Sequence, residues 1–191
     1  MQICLYGASS NELDAVYLNS AYELGLMIAQ RGHALVYGAG AQGVMGAAAR
    51  GVHDGGGRIT GVAPNFLNVD GILYDRCDDL IFTQTMAERK SIMAKRADAF
   101  IMAPGGVGTF EEFFEILTLK QLGRHNPPIA VYNVNGYYAP MQHMMEHAVS
   151  ERFVREPCLQ IYRLFSEPEA LLDYIERYDA QAIDVRHLKN I

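Results

Sequence analysis

Short apolar runs alternate with longer segments of helical period along almost the whole chain. Residues 3–6, 34–37, 59–63, 99–103 and 129–132 read as strands, with shorter ones near 80–82 and 159–162. Residues 11–31, 44–53, 86–96, 110–122 and 138–150 read as helices. A last helix runs from the Ser166-Glu167-Pro168-Glu169 start to about Tyr178. Gly32 suits the residue just past a helix end, and Gly55-Gly56-Gly57 breaks the helix before it. Regular strand–helix alternation implies βαβ units, hence a doubly wound α/β fold with a mainly parallel sheet and helices on both faces. A single domain over residues 1–178 is expected, followed by a loosely held tail at 179–191.

In such sheets a ligand sits at the carboxyl ends of the strands, beside the switch in strand order. Three strands here end in small-residue turns: Gly7-Ala8-Ser9-Ser10, Gly38-Ala39-Gly40-Ala41-Gln42-Gly43 and Pro104-Gly105-Gly106-Val107-Gly108-Thr109. One such turn serves tight packing as readily as binding. Three on the same sheet edge can surround one ligand. The third is the most telling, because a glycine-rich strand-to-helix turn frees backbone N–H groups to close on an anion at a helix N-terminus. A standard dinucleotide site is not indicated, since no acidic ribose ligand follows the second strand.

Two carboxylates, Glu111 and Glu112, follow that turn. Thr109-x-x-Glu112 also fits a capping box, so local pattern leaves Glu112 open between helix cap and active-site acid, and does not separate it from Glu111. Upstream, Thr85 and Glu88 make a second capping box. Arg89 and Lys90 then place cations in early helical turns, where the helix dipole disfavours them. Lys90 fits a solvated face, whereas Arg89 can grip a phosphate or carboxylate in two places. Ser9 can touch phosphate or cap a helix, and no His–Asp partnership makes it a nucleophile. Met86 and Met93 can border a flat apolar ligand, although methionine is commonly core filler. His143 and His147 share a helix face, but no third ligand is placed, so no metal site is expected.

The 191 residues carry a net charge of −6 and a pI near 5.5, which argues against binding a nucleic-acid polymer but not a small anion. Cys4, Cys77 and Cys158 form no CxxC pair, so neither a zinc knuckle nor a disulfide framework is indicated. No signal peptide opens the chain and no apolar stretch reaches membrane-spanning length, so a cytoplasmic protein is expected.

Tyr37-Gly38-Ala39-Gly40, Gly43-Val44-Met45-Gly46, Glu88-Arg89-Lys90 and Pro104-Gly105-Gly106-Val107-Gly108-Thr109-x-x-Glu112 together resemble the Lonely Guy (LOG) family. Its members are nucleoside 5′-monophosphate phosphoribohydrolases that release cytokinin bases, and many were once labelled lysine decarboxylases. The resemblance covers about residues 1–178 and implies a Rossmann-like fold and a homodimer with active sites near the interface. It assigns catalysis to Arg89 and Glu112, and 5′-phosphate binding to Gly105, Gly106, Gly108 and Thr109. Val107, Ser9, Gly40 and Lys90 are further candidates for the phosphate and ribose contacts, and Met86 and Met93 for the border of the base. Ala39 replaces the family's usual middle glycine, and Ala87 a frequent histidine.

The reaction so implied is hydrolysis of the N-glycosidic bond of AMP or an N6-modified AMP, without metal or redox cofactor. By analogy with glycoside hydrolysis, Glu112 either stabilises an oxocarbenium-like transition state or takes a proton from water. A broader nucleotide nucleosidase and a non-catalytic nucleotide binder on the same fold are the alternatives. A pyridoxal-phosphate decarboxylase needs a Schiff-base lysine, and Lys90, Lys95 and Lys120 lie in charged helical settings that offer none.

Overall fold

The computed structural model describes residues 1–180 and 184–189. Seven strands form one sheet: β1 (Gln2–Tyr6), β2 (Ala34–Tyr37), β3 (Ile59–Pro64), β4 (Asp79–Thr83), β5 (Ala99–Met102), β6 (Ile129–Tyr132) and β7 (Arg163–Phe165). The order is β4-β3-β2-β1-β5-β6-β7 and every pairing is parallel. The chain builds outward from β1 to β4, then crosses back to place β5 on the other side of β1. Tyr6 pairs with Met102 at that reversal, so the crevice beyond these two residues is where the topology leaves room for a ligand.

Alternation along β1 sorts the core into two layers. Ile3 and Leu5 join Ala21, Leu24 and Ile28 of α1 (Ala15–Gln30), Val44, Ala48 and Val52 of α2 (Gly43–Asp54) and Leu171, Leu172 and Ile175 of α6 (Pro168–Glu176). Cys4 and Tyr6 face the other layer, with Met93 of α3 (Met86–Arg96), Phe113, Ile116 and Leu117 of α4 (Val107–Gln121) and Met141 and Met145 of α5 (Ala139–Ser150). Met93 is therefore fully buried core and does not border the crevice.

The structure corrects several sequence expectations. Helix α1 starts at Ala15 because Asp14 caps it, its carboxylate accepting from the Val16 N–H at 2.9 Å. Asn11 instead holds the α2 turn by accepting from the Gly43 N–H at 2.8 Å. The last strand is Arg163–Phe165, not 159–162; Pro157 opens a 3-10 turn over Glu156–Gln160, and Tyr162 is core packing against Phe113. Helix α6 takes Glu167 as its cap residue with no side-chain bond, so the Ser166 capping box does not form. Within the tail, α7 (Val185–Leu188) is docked rather than loose. Leu188 is buried, and its carbonyl accepts from Gln121 Nε2 and Cys158 Sγ at 3.0 Å each.

Candidate active site

At the β1–β5 reversal lies an open cleft of about 380 Å³. Its walls come from all three elements that the glycine turns launch. Gly7, Ala8, Ser9 and Ser10 follow β1, Met45 comes from α2, and Gly106, Val107, Gly108, Thr109 and Glu112 come from α4. Met86 and Arg89 reach in from α3. Backbone bonds lock the turns together: the Ala8 N–H donates to the Pro104 carbonyl at 3.0 Å, and the Met45 N–H to the Ala8 carbonyl at 3.1 Å.

Helix α4 begins three residues earlier than the local pattern implies, with Gly106 as its cap residue and no side chain closing its N-terminus. Its first-turn N–H groups, at Val107, Gly108 and Thr109, are thus left for a ligand, at the positive end of a helix of 15 residues. This start also removes the helix-cap reading of Glu112. Counted from Gly106, Thr109 is the third helical residue and Glu112 lies in the second turn, so the Thr109–Glu112 capping box does not exist. Glu112 instead accepts a 2.7 Å bond from Arg89 Nη1.

Both members of that pair are nearly buried, Arg89 at 6% exposure and Glu112 at 8%. Arg89 is aimed from two sides, since its Nε donates to the Val62 carbonyl at 3.1 Å while Nη1 holds Glu112. The guanidinium passes over Gly38, where a Cβ would overlap Nη2 outright and stand 3.1 Å from Cζ. Burial pushes the Glu112 carboxyl above its ordinary value, and the Arg89 charge and hydrogen bond offset part of that rise. Beneath the pair, burial drives the Cys4 thiol up to about 12 and the Tyr6 phenol well up, so both stay neutral.

The other expected residues sort by position. Gly106, Val107, Gly108, Thr109, Ser9 and Met86 line the cleft with Arg89 and Glu112. Gly105 does not: its Cα packs so closely on Thr109 that a Cβ would overlap Oγ1, and its carbonyl accepts from the Tyr137 hydroxyl at 2.8 Å. Gly40 bridges to Leu73 and abuts Met45 behind the cleft wall. Lys90 is ion-paired with Glu111 and Glu115 and lines a separate groove between α3 and α4. Ala39 adopts φ 62, a left-handed conformation that explains a glycine preference at that position. Residues that sequence reasoning missed are Gly38, whose missing Cβ admits Arg89, and Val62, whose carbonyl aims it. Gly38 was visible only as part of a glycine turn.

Among the described residues no lysine lines this cleft. Lys90 is held by two carboxylates, and Lys120 is buried elsewhere against the Pro127 carbonyl and the Tyr178 hydroxyl. The residues present therefore do not fit a pyridoxal-phosphate Schiff base. Among the described residues no cluster of metal-ligating side chains occurs, and no helix is long and apolar enough to cross a membrane.

A parallel α/β sheet with an uncapped helix N-terminus and a buried arginine–glutamate pair in a cleft at its switch point defines a Rossmann-like protein. Solved structures share that fold. The molybdenum cofactor binding protein of Rippkaea orientalis superposes with a TM-score of 0.70 at 22% identity, over 92% of this chain and 94% of that one. The molybdenum cofactor carrier protein of Chlamydomonas reinhardtii gives 0.70 at 22% identity, over 92% and 96%. A family model described as "possible lysine decarboxylase" matches residues 45–175. The cytokinin riboside 5′-monophosphate phosphoribohydrolase LOG of Oryza sativa subsp. japonica is 39% identical, over 93% of this chain and 75% of the rice protein. The corresponding enzyme LOG2 of Arabidopsis thaliana is 38% identical, over 93% and 83%. The chain belongs to the LOG family.

Proposed function

We propose that this protein hydrolyses the N-glycosidic bond of adenosine 5′-monophosphate, plain or N6-modified, giving the free base and ribose 5-phosphate. The observation that carries this reading is the 2.7 Å Arg89–Glu112 pair set one helical turn from an uncapped α4 N-terminus in the same cleft. A pure nucleotide carrier gains nothing from a buried carboxylate beside a phosphate cradle. A hydrolase needs one.

The first-turn N–H groups of α4 and the Thr109 hydroxyl hold the 5′-phosphate, a non-reacting handle that fixes C1′ of the ribose against Glu112. As the C1′–N bond breaks, its electron pair leaves with the base and positive charge grows at C1′. The ionised Glu112 stabilises that charge and accepts a proton from the water that attacks C1′; the departing base takes up a proton in turn. Burial, by raising the carboxyl's proton affinity, favours this base role. Arg89 keeps Glu112 oriented and sufficiently ionised to act. Met86 and Met45 offer apolar contact for the base.

The reading extends to assembly and location. Phe66, Val69, Ile72, Leu80, Phe82 and Met86 are all exposed, and Leu80 and Phe82 lie on edge strand β4. Such apolar side chains support a homodimer. Cys4 and Cys158 are buried free thiols, which supports a reducing, cytoplasmic setting.

The test is incubation with AMP, isopentenyl-AMP, other monophosphates and the matching nucleosides, with detection of free base. Base released from adenine monophosphates far faster than from nucleosides supports the reading. Equal rates on both remove the phosphate handle, and no release from any monophosphate removes the hydrolase.

A further inference from the structure

We propose that Tyr137 is a positioning residue for the phosphate cradle: its hydroxyl fixes the Gly105–Gly106 peptide so that the Gly106 N–H is presented to the anion. This rests on the phosphate site proposed above and extends it to a residue outside the cleft. Tyr137 donates to the Gly105 carbonyl at 2.8 Å. Among the described residues no peptide bond is cis, and in a trans peptide the C=O and the following N–H point in opposite directions. Turning the Gly105 carbonyl toward Tyr137 therefore turns the Gly106 N–H away from Tyr137, on the side where Gly106 borders the cleft. Glycines flank this peptide on both sides, so nothing in their own φ/ψ preferences would hold it.

The surroundings are built to deliver that hydroxyl. The turn before α5 uses two consecutive left-handed residues, Asn135 at φ 51 and Gly136 at φ 72. Asn133 Oδ1 accepts from the Tyr138 N–H at 2.7 Å and fixes the turn's exit. The Tyr137 ring is held edge-on between Tyr17 of α1, at 5.8 Å, and Tyr138, at 4.9 Å. Tyr138 in turn donates to the Ala103 carbonyl at 2.8 Å and so anchors the end of β5. The two tyrosines divide the work: Tyr138 holds the strand end, and Tyr137 sets the peptide that leads into the α4 donors. Donation to the carbonyl also polarises the peptide and strengthens its N–H as a donor.

The experiment is Tyr137→Phe, which keeps the ring and removes only the hydroxyl. Binding of ribose 5-phosphate and of inorganic phosphate is measured by calorimetry in wild type and variant, alongside steady-state kinetics on AMP. Loss of one aimed hydrogen bond predicts affinity for both anions weaker by about fivefold to tenfold. KM for AMP should rise by a similar factor with kcat nearly unchanged, because the handle is gripped equally in ground and transition states. A merely structural contact would instead lower the melting temperature and kcat while leaving anion affinity alone. Unchanged anion binding in Tyr137→Phe overturns the inference, as does a wild type that binds neither anion. The binding arm needs no turnover, so a wild type that holds ribose 5-phosphate but releases no base sinks the hydrolase reading and leaves this one standing.

Discussion

Gly38 is the position where a single methyl group should disable the site without touching the ligand. A Cβ there would overlap Arg89 Nη2 and stand 3.1 Å from Cζ and 3.5 Å from Nε. Gly38 has no left-handed backbone that an alanine would strain, and the obstructing atoms are the tip of a flexible side chain. In Gly38→Ala the guanidinium moves instead of the sheet. It then forfeits the bond to the Val62 carbonyl and the 2.7 Å bond to Glu112. A neutral acceptor is worth about 1 kcal/mol and a charged one about 1.5–3 kcal/mol, so the fold should lose about 2–4 kcal/mol. For a chain of this size that lowers the melting temperature by about 5–15 °C. Base release from AMP should fall by roughly 10²-fold, as in Arg89→Ala, since both variants leave Glu112 without its partner. The decisive assay is the double-mutant cycle. Once Arg89 is alanine the three atoms nearest the new methyl are gone, so Gly38→Ala should cost no further activity, a coupling of about 2.7 kcal/mol. Losses that multiply, or a Gly38→Ala enzyme with wild-type turnover, refute the steric argument.

Two further predictions follow from charge and burial. Burial holds the Glu112 carboxyl above its ordinary value of 4.5, so the ionised form is lost on acidification at higher pH than for a free glutamate. The acid limb of kcat/KM should lie above that value and move further up in Arg89→Ala, which removes the charge that opposes the rise; a limb that stays put or moves down contradicts the assignment. Lys120 is nearly inaccessible, donating to the Pro127 carbonyl and the Tyr178 hydroxyl, and burial pulls its ammonium down to about 8. Between that pH and its ordinary 10.5 the unfolded chain binds the extra proton, so stability owed to this residue rises with pH. Thermal unfolding of wild type should therefore gain on Lys120→Met as pH is raised through this window, and parallel curves would count against it.

Much of the fold was legible because local signals and tertiary demands agree. Strands 34–37 and 129–132 are apolar runs bounded by turn residues, and helix Met86–Arg96 has a Thr85–Glu88 cap that forms as read, Thr85 Oγ1 accepting from the Glu88 N–H at 3.1 Å. Several of the failures share a cause: they are decided by partners distant in sequence. The apolar run 159–162 looks like a strand, yet only β6 decides which residues pair, and it selects Arg163–Phe165. The 179–191 tail has little local pattern, but Gln121 and Cys158 capture the Leu188 carbonyl. At the site, local pattern favoured Thr109 as a helix cap because threonine prefers that position, while the glycine turn continues one more turn of helix and carries Glu112 inward. No spacing rule links Arg89 to Glu112 across 23 residues. Only the sheet order β3-β2-β1-β5 brings α3 and α4 together there.

In the proposed reaction Glu112 does the chemistry while the α4 N-terminus does the holding. The measurement that separates them is Glu112→Gln assayed twice, by calorimetry with ribose 5-phosphate and by rapid-quench release of free base from isopentenyl-AMP. The variant should bind ribose 5-phosphate close to wild type, with base release slowed by at least about 10²-fold. Near-wild-type release of base from the variant would contradict it.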